Sequence, residues 1–112
     1  MYGRNINFTL LAPSLWAVVK AIGSNVEEEK YKRMLFKTGD NNGFIIEVFE
    51  NINIAGKKIE TMKAMQGLSE QAMAKVSIQE GSTIWYIIVI WLICDWLKYL
   101  FHKLSYIFKN GG

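Results

Sequence analysis

By type and spacing, the residues best able to do chemistry are Asp95, Lys98, Tyr99 and His102, three or four positions apart in IWYIIVIWLICDWLKYLFHKL, residues 84–104. On an α-helix at about 100° per residue they share one stripe, within roughly 60° of Asp95, and Tyr106 and Lys109 continue it. A carboxylate, an ammonium group, a phenol and an imidazole in line can do two things. They can pass a proton or ion along the helix, or they can satisfy one another and groups on a neighbouring helix. Lys98 follows Asp95 at i+3 in the favourable acid-before-base order, and an acid beside its own lysine is more economically a pairing device than a relay. The stripe is therefore expected to pack against other helices.

Other constellations that carry chemistry are missing from the sequence. Cys94 and His102 are the single cysteine and the single histidine; on one helix they point about 80° apart and cannot form a nucleophile–base pair. One cysteine supports neither an internal disulfide nor a cysteine-rich zinc site. GSN at 23–25 and GDNNG at 39–43 lack the spacing of a phosphate-cradling loop. The second also lacks the closing glutamate of a calcium loop. Glu27, Glu28 and Glu29 read as a solvated charge run rather than as paired catalytic acids. No catalytic, metal or cofactor-binding residue is assigned, so the chain is expected not to be an enzyme and to need no cofactor.

The stripe requires a long helix to carry it. Residues 83–101 would span roughly 28 Å as a helix, close to the hydrocarbon thickness of about 30 Å, and the twelve residues before Asp95 are uncharged. Trp85, Tyr86, Trp91 and Trp96 are expected as anchors at the membrane interface. The first half is apolar all round and the second is amphipathic, so the segment either spans a bilayer or lies partly along its surface. Topology stays open: Lys98, Lys103 and Lys109 favour a cytoplasmic C-terminus, whereas a span this late would insert tail-first.

Upstream, residues 8–23, FTLLAPSLWAVVKAIG, have the outline of a secretory signal ending in Ala21-x-Gly23, interrupted by Lys20. Pro13 suits a helix first turn, which predicts a short apolar helix over 13–22, closed by Gly23 and Ser24. Trp16 on it is expected to dock on a partner or a membrane surface. YKRMLFK (31–37) and FIIEVFE (44–50), separated by TGDNNG, predict a β-hairpin. From Lys57 the period lengthens, and Ile59, Met62, Met65, Leu68, Ala72, Met73 and Val76 predict an amphipathic helix. Met62, Met65 and Met73 suit an adaptable docking surface, the plainer reading being that they pack on the hairpin. QEGS at 79–82 reads as a linker.

Bulk properties bound the function. The chain has 112 residues, 51% hydrophobic content, mean hydropathy +0.11 and net charge +3. That is apolar for a small domain, which must cover much surface with polar groups. Basic residues alternate with acids, so nucleic acid is not expected as a partner. The expected fold is mainly α with a small β-hairpin: a short apolar helix, the hairpin, an amphipathic helix and one long C-terminal transmembrane helix. The expected organisation is a small α+β region at 1–81, soluble or membrane-peripheral, a transmembrane or amphipathic helix at 82–109, and a tail at 110–112. The function expected on these grounds is that of a single-pass, membrane-anchored accessory subunit of a respiratory-type complex or a membrane-containing virion, with a holin-like permeabilising protein as the alternative. Its expected partners are the lipid bilayer and other protein subunits, the same or different.

Overall fold

The computed structural model describes residues 1–82, 95–100, 102 and 103. Met1–Ser82 forms one compact unit, and residues from Thr83 onward form a second. The first unit begins with strand β1 (Tyr2–Leu10), followed by a single 3-10 turn (Pro13–Leu15) that runs into helix α1 (Trp16–Gly23). Short β2 (Val26–Glu27), β3 (Tyr31–Lys37) and β4 (Asn42–Phe49) follow, then α2 (Ile52–Lys57), α3 (Glu60–Glu70) and β5 (Ala74–Ser82). The strands make one sheet in the order β2-β3-β4-β1-β5, every neighbouring pair antiparallel. With α1 between β1 and β3 and α3 between β4 and β5, the main elements follow the split βαβ, or ferredoxin-like, pattern.

This corrects the expectation of a mainly α chain. Two strands were hidden in the sequence, each with a two-residue period. In β1, Arg4, Ile6, Phe8 and Leu10 are buried, whereas Asn7 and Thr9 are exposed. In β5, Ala74, Val76 and Ile78 turn inward while Lys75, Ser77 and Gln79 are exposed. Residues 74–82 are therefore strand, where the sequence suggested the end of a helix and a linker.

The helix stops early for a local reason. Met73 N–H donates to Leu68 C=O (2.9 Å) and Ala72 N–H to Ser69 C=O (3.1 Å), the paired bonds of a Schellman turn. Such a turn needs a left-handed residue, and Ala72 supplies it at φ 58° without being glycine. A Cβ in that region costs about 1–2 kcal/mol. Ala72→Gly is therefore expected to stabilise the protein by about 1 kcal/mol, seen as a higher urea midpoint with unchanged slope.

The helices pack on one face of the sheet. Ile6, Phe8, Leu10, Trp16, Val19, Ile45, Met65, Leu68 and Ala74 make the main core. Gly23 lets α1 approach closely: a Cβ there would stand 2.6 Å from Ile45 Cδ1. Burying side chains of this size contributes roughly 1.5–3 kcal/mol each. Among the described residues no helix is long and apolar enough to cross a membrane. The C-terminal membrane anchor, the membrane localisation, the membrane-anchored subunit and the holin alternative expected from the sequence are not sustained by any described helix, and residues 83–94 of the expected span lie outside the described residues.

Candidate functional site

Two polar or reactive regions of the sheet stand out, one on each face. On the helix side, Arg4 of β1 lies in register between Glu47 of β4 and Glu80 of β5. Cross-strand neighbours on one face lie about 5 Å apart, so a long basic side chain reaches both acids. Arg4 Nη1 sits 3.3 Å from Glu47 Oε1, with the two side chains 2% and 1% exposed, and Arg4 Nε pairs with Glu80. Its remaining contacts go upward to α2: Nη1 donates to Lys58 C=O (2.8 Å) and Nη2 to Ala55 C=O (3.0 Å). Those carbonyls lie at the C-terminal end of α2, where a cation is favoured by the helix dipole. Phe49 closes the site from below, its ring centroid 5.0 Å from Arg4 Cζ.

Two tyrosines complete the cluster. Tyr31 O–H donates to Glu47 Oε2, and Tyr2 O–H donates to Glu80 Oε2 at 2.8 Å. Burial, together with the hydrogen bond to Glu47, pushes Tyr31 up to about 12, while the Arg4 hydrogen bond holds Glu80 below its ordinary value of 4.5. Arg33 ties the periphery together, donating to Ser24 C=O (2.7 Å) and Thr61 Oγ1 (2.6 Å). With four of the arginine's five donors engaged inside the chain, the cluster works as a latch of α2 onto the sheet.

The latch makes stability depend on pH at both ends. Tyr31, raised in the folded state, stabilises fully below pH 10, and that contribution is lost as pH rises from 10 through about 12. Glu80, lowered, stabilises above pH 4.5, and its contribution is lost as pH falls below that value. Urea midpoints measured from pH 9 to 12 are expected to decline less steeply for Tyr31→Phe than for the parent chain.

The opposite face of the sheet is open within this unit. Its side chains fall into rows set by strand register: Lys32, Val48, Gly3 and Gly81; Met34, Ile46, Asn5 and Gln79; Phe36, Phe44, Asn7 and Ser77. The β3–β4 half is apolar and the β1–β5 half carries amides, hydroxyls and Lys75. Met34 and Phe36 are 41% and 40% exposed, high values for side chains in the middle of a sheet. Phe36 and Phe44 stack with ring centroids 4.8 Å apart and planes 21° from parallel. The helices of this unit lie on the other side.

The residues singled out from sequence fall in three places. Trp16 is core: its ring meets Phe8 edge-on at 5.5 Å and its Nε1 donates to Asp40 C=O at 2.6 Å. Met65 is fully buried and Met62 packs against the same core, while Met73, at the turn into β5, is 36% exposed. Asp95, Trp96, Lys98, Tyr99 and His102 lie on helical residues and are exposed. Lys103 Nζ sits 5.8 Å from the Tyr99 ring centroid. Trp85, Tyr86, Trp91 and Tyr106 lie outside the described residues, as does most of the expected spanning segment. Sequence reading missed both faces of β4. The signal was FIIEVF itself, apolar on both strand faces and interrupted by an acid that must find a partner.

No family model matches this chain, and no curated protein matches it. The solved structures similar to it include SnoaB, a cofactor-independent oxygenase from Streptomyces nogalater, at 16% identity and TM-score 0.44. A point mutant of SnoaB is similar at 15% identity and TM-score 0.42; each comparison covers 72% of this chain and 90% of the other. The expectation from sequence that the chain is not an enzyme is not carried further.

Proposed function

We propose that this protein is a self-associating binding module in which two copies meet through the apolar half of the open sheet face. The observation that carries this reading is the patch formed by Met34, Phe36, Phe44, Ile46 and Val48 on β3 and β4, opposite the helices. A strand that is apolar on both faces belongs to a sheet covered on both sides, and the first unit covers only one.

A second copy fits the patch better than a charged partner does. An isologous contact must complement itself, which an apolar surface does without matching charges. Lys32, 3.8 Å from Glu27 at one edge, and Lys75 on β5 at the other both stay at the rim of such a contact. Nucleic acid fits poorly. At 4.8 Å and near-parallel planes, Phe36 and Phe44 overlap face to face, so neither ring lies flat on the sheet as a platform for successive bases.

Size sets the strength of the contact. Two strands of seven and eight residues cover about 10 Å by 25 Å, on the order of 250 Å² in projection. That is well below the roughly 800 Å² per partner of a standard interface, so the association is weak and depends on concentration. Sedimentation velocity across a hundredfold dilution is expected to show a monomer–dimer shift, and Ile46→Glu, which places a carboxylate in the middle of the patch, is expected to abolish it. A chain that sediments as a monomer at every concentration, or a variant that dimerises like the parent, would overturn the reading.

A further inference from the structure

We propose that the polar half of the same face binds a small aromatic carboxylate. The site is an open depression of about 450 Å³ at one end of the sheet. Register places Thr9 between Asn42 and Lys75, and Asn7 between Phe44 and Ser77, so these six side chains stand in two adjacent rows around it. None of the lining residues is acidic. The polar side chains among the six make no hydrogen bond or ion pair with other described residues, which leaves one ammonium group, two hydroxyls and two amides free to donate into one basin.

The chemistry of the set selects the ligand. One cation among neutral donors matches a single negative charge, whereas a dianion such as a phosphate monoester calls for a second positive group. Phe44 selects the body. Its ring stands on edge with one face against Phe36, and its other face is turned toward Asn7 and the basin. A planar ligand can lie against that face in offset stacking while its carboxylate meets Lys75 Nζ and the hydroxyls of Thr9 and Ser77. This assignment does not rest on the pairing of copies, because the basin, on β1, β5 and the start of β4, shares only Phe44 with the patch.

The test is a titration of the full chain, followed by backbone amide NMR, with 2-naphthoate, the neutral 2-naphthylmethanol and 2-naphthyl phosphate. We expect saturable shifts at Thr9, Asn42, Lys75 and Ser77 with 2-naphthoate, with a Kd on the order of 1 mM as suits an open site and a ligand this small. 2-Naphthylmethanol is expected to bind at least tenfold more weakly. Lys75→Met should weaken 2-naphthoate roughly tenfold, as loss of a charge-assisted hydrogen bond does, and Lys75→Arg should restore most of the affinity. Lys75 is exposed, so neither variant threatens the fold. The proposal falls if no saturable shift occurs, if the shifts map to the helix side, or if the neutral compound or Lys75→Met binds as well as the parent pair. Tighter binding of 2-naphthyl phosphate would overturn the choice of a carboxylate.

Discussion

Arg4→Met is expected to destabilise the first unit by about 3–5 kcal/mol, the cost of leaving a buried charge without its partner. The asymmetry between its two acids explains the size of the effect. Glu80 is 33% exposed and can return to water, but Glu47 at 1% cannot. Without Arg4, Glu47 keeps only the Tyr31 hydroxyl and the α2 carbonyls of Ala55 and Lys58 lose their donor. Small domains are stable by about 5–15 kcal/mol, so the variant should sit near the edge of folding. Urea denaturation reads the loss. The double variant Arg4→Met/Glu47→Leu is expected to recover much of it, because replacing both members of a buried pair with apolar groups removes the desolvation penalty along with the attraction.

Gly43→Ala is expected to cost about 3 kcal/mol or more, at the upper end of what overpacking a core does. A Cβ at this position would lie 2.4 Å from Phe36 C=O, 2.7 Å from Trp16 Cη2 and 2.8 Å from Phe8 Cζ. The first of these is backbone in a paired strand and cannot turn aside. The others are rings already engaged with each other edge-on, and Trp16 is also fixed by its bond to Asp40. Relief would require β3 and β4 to separate at the row below Phe36 and Phe44, so the variant should also weaken self-association. A thermal melt lowered by several degrees, with the loss of the concentration-dependent sedimentation shift, is the expected result.

The hairpin of β3 and β4 was legible because its two strands flank a turn rich in Gly, Asp and Asn, a signal that depends only on local backbone preference. The short helix after Pro13 was legible for the same reason. β1 was not, because Arg4 followed by an apolar stretch satisfies a signal-like composition as well as it satisfies a strand. Its alternation of Ile6, Phe8 and Leu10 with Asn5, Asn7 and Thr9 decides for the strand once a sheet exists to receive it. β5 was hidden behind Ala72: a left-handed turn normally announces itself by glycine, and without one the spacing of Met73 and Val76 prolongs a helical pattern. Of the candidate site, the row that joins Arg4, Glu47 and Glu80 could not be read at all, since it unites residues 43 and 76 positions apart. The apolar patch was present in FIIEVF, but which of its two apolar faces stays open is a property of the helices and not of the strand.

The claim that two copies meet through the β3–β4 face is tested most directly by isotope-filtered nuclear Overhauser spectroscopy on an equal mixture of labelled and unlabelled chain. Cross-copy contacts are expected among the Met34 and Ile46 methyl groups and the Phe36 and Phe44 rings, and they should vanish in Ile46→Glu. Cross-copy contacts from the helix side of the sheet, or none at a concentration where the chain sediments as a dimer, would contradict the account.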